Sequence, residues 1–101
     1  MIRGLERSRL PRPFREFKAG GYFIDFAWPD VLLGVEVHGA KWHRRRARWA
    51  EDLSRHNELT AAGWTILHFT WEEIRDSSAR VVAEIEATFE RLSLRLGLNI
   101  R

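Results

Sequence analysis

The sequence predicts an α/β (α+β) domain built on a central mixed β-sheet, with elements in the order βββαβα. Three observations predict it. Aromatic and β-branched runs broken by turn residues fill residues 14–38. Apolar residues recur at helical spacing in the last quarter of the chain. Between two helical stretches stands a short, almost continuous apolar run that a crossover can set parallel to an earlier strand. With 101 residues, 45% of them apolar and 31% charged, the chain is expected to be a single domain, residues 1–101, with one core.

Pro11 and Pro13 forbid a regular helix at the start, so residues 1–13 read as irregular. Phe14 to Lys18 alternates as a weak strand, which Gly20-Gly21 turns back. Tyr22 to Trp28 is a stronger strand and stops at Pro29-Asp30; Val31 to His38 follows, completing an antiparallel meander. Gly39 ends it. A helix from about Ala47 to Ala62 closes on Gly63. Trp64 to Thr70 reads as a strand whose unbroken apolar pattern suits an interior position covered on both faces. Asp76-Ser77-Ser78 supplies N-cap chemistry for a last helix, where Val81, Val82, Ile85, Phe89, Leu92 and Leu96 form an apolar stripe. Trp64, Phe69 and Trp71 read as core, and His68 as a packed or edge-facing histidine.

The absence of cysteine excludes a disulfide framework, thiol catalysis, iron–sulfur clusters and any Cys-based zinc site, so no structural zinc is expected. No apolar run nears the ~18 residues of a membrane span, and the polar N-terminus has no signal-peptide h-region. A cytoplasmic protein with no membrane partner is the expectation. Residues 1–48 hold 11 Lys+Arg against 5 Asp+Glu, a balance of +6, whereas residues 49–101 hold 6 against 9, a balance of −3. A basic first half is where a polyanion would bind. A general preference for Arg, which outnumbers Lys 15 to 2, also accounts for it.

Charge inside strands that should be core carries the most information. A two-residue period puts Tyr22, Ile24, Phe26 and Trp28 on one face of the second strand, and Phe23, Asp25 and Ala27 on the other. In the third strand Val35 and Val37 share a face, and Glu36 and His38 share the opposite one, about 7 Å apart. A register that sets Asp25 beside Glu36 makes a compact anionic site. Two carboxylates brought together away from water are costly without a cation, and oxygen ligands with open positions suit Mg2+, with Mn2+ an alternative. The plain alternative is a wetted sheet face.

The segment Val35-Glu36-Val37-His38-Gly39-Ala40-Lys41-Trp42-His43, with Phe23-Ile24-Asp25-Phe26-Ala27-Trp28-Pro29-Asp30 upstream and Gly63-Trp64 to Trp71 downstream, resembles the very-short-patch-repair (Vsr) endonucleases. It is closer still to uncharacterised bacterial relatives of those enzymes within the PD-(D/E)xK nuclease superfamily. The resemblance covers roughly residues 10–90 and implies a restriction-endonuclease-like core and a metal-dependent DNA endonuclease. It makes Asp25 the metal-binding Asp, Glu36 the carboxylate of the (D/E)xK triplet and the Val37 carbonyl a third metal ligand. His38 stands where the superfamily usually has Lys. His43 corresponds to the Vsr histidine that acts on the attacking water, and Asp52 to the carboxylate that orients it. Lys41, Trp42, Arg44, Arg45, Arg46 and Arg48 then lie where they contact DNA, the basic ones through phosphates without reading sequence.

Three departures matter. The superfamily's N-terminal helix is expected to be short or missing here, either because the sequence starts inside a longer chain or because the protein works without that element, and a sheet face left open by it would favour a homodimer. Lys41 replaces an aromatic wedge residue and there is no cysteine, so mismatch specificity does not carry over. The rival expectation is a DNA-binding or regulatory module that keeps the nuclease fold without catalysis. A metallohydrolase built on His38 and His43 is disfavoured, because a spacing of five lacks the i, i+4 geometry of a helical zinc motif.

Overall fold

The computed structural model describes residues 4–5, 8–39 and 49–97, the side chains of residues 49–52 excepted. Strand β1 (Phe14–Ala19) and strand β2 (Tyr22–Trp28) form a hairpin whose last pair is Ala19↔Tyr22. Gly20 alone of the two loop residues has a positive φ, 63°, the pattern of the II′ turn that matches strand twist. A single 3-10 turn, Pro29–Val31, leads into β3 (Leu33–His38), and Leu32 at φ 53° reverses the chain between them. The third strand therefore starts two residues later than its apolar run suggests.

Helix α1 (Trp49–Ala61) crosses over to β4 (Thr65–Thr70), which runs parallel to β3 from Leu33↔Thr65 to His38↔Thr70. Gly63 ends α1 as expected: at φ 96° it directs its N–H to the Thr60 carbonyl and the Trp64 N–H to the Leu59 carbonyl, the paired bonds of a Schellman motif. Sheet order is β1-β2-β3-β4. Strand β4 is thus an edge of the described sheet rather than an interior strand. Its apolar run still reflects cover on both faces, as expected: Ile66 packs on one and Leu67 and Phe69 on the other.

Two helices close the chain where one is expected. Helix α2 (Trp71–Asp76) is opened by a capping box, in which the Thr70 hydroxyl accepts from the Glu73 N–H and the Glu73 carboxylate accepts from the Thr70 N–H, both at 3.0 Å. Helix α3 (Ser78–Arg95) follows, and Ser77 makes no side-chain cap bond to it. The capping chemistry belongs to the helix before. Trp71 is also displaced from the expected core: at the start of α2 it is 53% exposed and lies over Gly39.

The sheet separates two apolar clusters. On one face α3 lays Val81, Val82, Ile85, Phe89 and Leu92 against Phe26, Trp28, Leu33 and Val35, and Leu5 joins them. Leu96, past the end of α3, is exposed and adds nothing to this stripe. The Trp28 ring meets Phe89 edge-on at 6.3 Å, and its indole N–H donates to the Pro11 carbonyl at 2.7 Å, fixing the N-terminal segment. On the other face the smaller cluster of Ala19, Ile24, Ala27, Leu59 and Trp64 lies beneath α1. No helix among the described residues is long and apolar enough to cross a membrane.

Ile24 breaks the simple alternation of β2. It packs with Ala27 rather than with Phe26 and Trp28. The break falls at Asp25: the β1–β2 ladder skips the Glu16 and Asp25 positions, and Glu16 takes φ 48°, a strained value for a residue with a Cβ. On the other side of β2, the ladder with β3 ends at Phe26↔Val35. Strand β2 is therefore released from both neighbours at the residue that carries its carboxylate.

Candidate active site

Where the β2–β3 ladder stops, side chains take over its hydrogen bonds. The Asp25 N–H donates to Glu36 Oε2 at 3.1 Å, and the Val37 N–H donates to Asp25 Oδ2 at 2.9 Å. Each carboxylate thus accepts from a backbone N–H of the facing strand, so neither N–H is orphaned. Asp25 and Glu36 are brought together across adjacent strands, which is the register the sequence needs for an anionic pair.

Glu36 is buried, 7% exposed, and so is costly to ionise. Burial is the largest influence on it and raises its pKa; the neighbouring Asp25 charge adds to the rise, while Arg55 and the Asp25 N–H oppose it. The Arg55 guanidinium lies 2.6 Å from Glu36 Oε1. It also donates to the Phe23 carbonyl at 2.5 Å and covers the Tyr22 ring at 5.6 Å. Composition and motif reading pass over Arg55, yet a signal is present. It precedes the buried Leu59 by one helical turn, so both share the α1 face that meets the sheet.

His38 and His68 form the other end of the site. In the parallel register Glu36 faces His68 and His38 faces Thr70, with His38 Nε2 2.8 Å from His68 Nδ1 and the two rings nearly parallel. One of these nitrogens carries the shared proton. His56 on α1 approaches the same ring, 5.4 Å between centroids. His68 is pushed down to about 4 by partial burial first, then by the charges of His38, His56 and Arg55. Strand parity signals its position: Leu67 and Phe69 turn to the α3 face, leaving His68 on the face of Glu36.

The remaining expected residues lie elsewhere. Lys41, Trp42, His43, Arg44, Arg45, Arg46 and Arg48 fall outside the described residues. Asp52 lies in the first turn of α1, one turn before Arg55 and His56, and its side chain is outside them too.

Among the described residues no three His, Asp or Glu side chains gather into a metal cage. A smaller oxygen set does suit a hard cation in kind. Asp25 and Glu36 supply carboxylates, and Asp25 Oδ1 has no hydrogen-bond partner among the described residues. The Val37 N–H is aimed at Asp25, and the N–H and C=O of a strand residue leave by the same edge, so its carbonyl faces that side as well. Three protein oxygens leave positions for water and a phosphate, the habit of Mg2+.

A four-stranded mixed sheet with helices on both faces, and a carboxylate pair where its hairpin ladder stops, is compatible with a restriction-endonuclease-like core. The chain belongs to such a family: REase_MTES_1575 matches residues 7–89. It is also similar to two Mycobacterium tuberculosis proteins, Uncharacterized protein Rv2248 of strain H37Rv and Uncharacterized protein MT2308 of strain CDC 1551, each 31% identical over 88 residues. The match takes in 87% of this chain and 32% of each relative, so the chain spans about a third of their length. No solved structure matches it.

Proposed function

We propose that this chain is a metal-dependent DNA endonuclease that hydrolyses phosphodiester bonds in the manner of Vsr-like enzymes, by nicking or by a double-strand cut. The observation that carries the reading is the Asp25–Glu36 pair, locked across two strands by reciprocal side-chain to backbone bonds. Membership of a restriction-endonuclease-like family supports it. Asp25, Glu36 and the Val37 carbonyl would hold Mg2+, or Mn2+ in its place. When bound, the ion offsets charge on the phosphate and makes water a better nucleophile.

The chain's own residues do the rest. His43, oriented by Asp52, takes the proton of the attacking water. His38, hydrogen-bonded to His68, stands at the third strand's end as a proton donor or base. Lys41, Arg44, Arg45, Arg46 and Arg48 neutralise DNA phosphates, and Trp42 stacks on a base.

One observation favours a second reading, a DNA-binding module without catalysis: Glu36 already has a cation, the Arg55 guanidinium. Supercoiled plasmid incubated with the protein and Mg2+ or Mn2+ separates the two. Nicking that disappears in Asp25→Ala, Glu36→Ala and His43→Ala is the expected result. Salt-sensitive binding with no nicking supports the module, and cleavage that survives loss of both carboxylates refutes the site. Sedimentation of the same samples with and without DNA reads out the expected homodimer.

A further inference from the structure

Arg55 has no role in the chemistry above, yet among the described residues it is the most heavily engaged cation beside the acidic pair. Its guanidinium meets Glu36 Oε1 on β3, the Phe23 carbonyl on β2 and the Tyr22 ring. Glu36 is buried, and the Arg55 side chain keeps only 26% of its surface exposed, so solvent screens this pair less than a surface one. A buried carboxylate whose Oε2 is taken by a backbone N–H needs a positive charge at its other oxygen. Arg55 supplies it. A divalent cation held by Asp25 and Glu36 would bring a second positive charge to the same few ångströms, and like charges there repel.

We infer that Arg55 is an internal counter-ion that competes with the metal: it holds Glu36 Oε1 while no divalent cation is bound and yields that oxygen when one binds. The inference rests on reading Asp25 and Glu36 as metal ligands. The same Nη2 serves Glu36 and the Phe23 carbonyl, so yielding Glu36 means swinging that nitrogen about the Phe23 oxygen over the Tyr22 ring, which keeps the guanidinium near enough to re-pair. Arg55 is in this sense a positioning residue. It keeps the acidic pair assembled and ionised when the metal is absent, at the expense of metal affinity.

The sign of the effect is what tests this. In the full chain, Arg55→Met keeps length and apolar stem but removes the charge, whereas Arg55→Lys keeps the charge. Calorimetric titration with Mn2+ is expected to show Arg55→Met binding roughly tenfold more tightly than the parent, a modest share of the repulsion between close charges. Arg55→Lys is expected to stay close to the parent. Without metal, Arg55→Met should melt lower, and saturating Mn2+ should raise its melting temperature by more than it raises that of the parent. Unchanged or weaker Mn2+ affinity in folded Arg55→Met overturns the inference.

A measurement on the unaltered chain covers the case in which Arg55→Met does not fold. The Arg55 guanidinium N–H resonances, held apart by the ion pair, should merge or shift as Mg2+ saturates; resonances that stay fixed overturn the inference. Asp25→Asn and Glu36→Gln distinguish the two levels of the reading. Mn2+ binding that needs both carboxylates but ignores Arg55 refutes the competition alone. Binding that ignores the carboxylates, or no binding at all, refutes the metal site and the competition with it.

Discussion

Gly34 is the position where a single methyl group should do most damage. It sits on β3 two residues before Glu36, paired with Ala27 on one side and Ile66 on the other. A Cβ added there would lie 2.7 Å from Ile66 Cδ1 and 2.8 Å from Ile24 Cγ2, closer than carbon atoms approach without displacement. Ile24 is fully buried and cannot swing into solvent, so the backbone must share the strain. Overpacking of this kind costs about 2 kcal/mol. In a domain of this size that corresponds to a fall of roughly 10 °C in melting temperature. Thermal unfolding of Gly34→Ala followed by circular dichroism measures it. The two contacts also differ in a way a second substitution can exploit, because Ile66→Val deletes Cδ1 and with it the closer clash. In the Ile66→Val background Gly34→Ala should therefore cost at least ~0.5 kcal/mol less than it does alone. A Gly34→Ala protein that melts within a degree or two of the parent, or a double variant whose losses simply add, would refute the packing argument.

Three further outcomes are expected. Unfolded His68 takes up a proton below its ordinary 6.5, whereas the folded chain resists until about 4; its contribution is present above pH 6.5 and lost as pH falls to 4. Urea midpoints between those values should fall less steeply in His68→Gln than in the parent. Glu36 acts in the opposite direction: its folded pKa is raised above 4.5, so its contribution declines as pH climbs from 4.5 through the folded value, and Glu36→Gln should remove that decline. Ile85 is fully buried under α3, and Ile85→Ala should cost about 3 kcal/mol in chemical denaturation while leaving Mn2+ affinity unchanged.

Much of the fold is legible because its signals are local. Gly20-Gly21, Pro29-Asp30 and Gly63 each end an element through backbone chemistry that needs no partner, and the α3 stripe is written in its own spacing. Helix α2 was equally legible in principle, since Thr70 and Glu73 stand at capping-box spacing, but Asp76-Ser77-Ser78 offers a competing cap just downstream. The break in β2 was not legible. Alternation follows from the pleat of a regular strand, and Ile24 departs from it beside Asp25, where both ladders are interrupted. The acidic pair itself shows in the sequence as charge within apolar strands. For Arg55 and His68 helix and strand parity give only the face each takes, because what brings them to the pair is the crossover of α1 and the parallel register of β4.

The division of the sheet into two faces has a consequence for how this chain can change. The larger apolar cluster, from Trp28 to the α3 stripe, lies on one side; every group gathered around Glu36 lies on the other, together with the smaller cluster of Ile24, Leu59 and Trp64. The α1 surface thus combines packing with the acidic pair, whereas the α3 surface is given to packing. Substitutions beneath α3 are expected to change stability alone, whereas substitutions beneath α1 can change stability, as Gly34→Ala does, and the acidic pair as well. Only the α3 surface can therefore be repacked without touching the neighbours of Glu36.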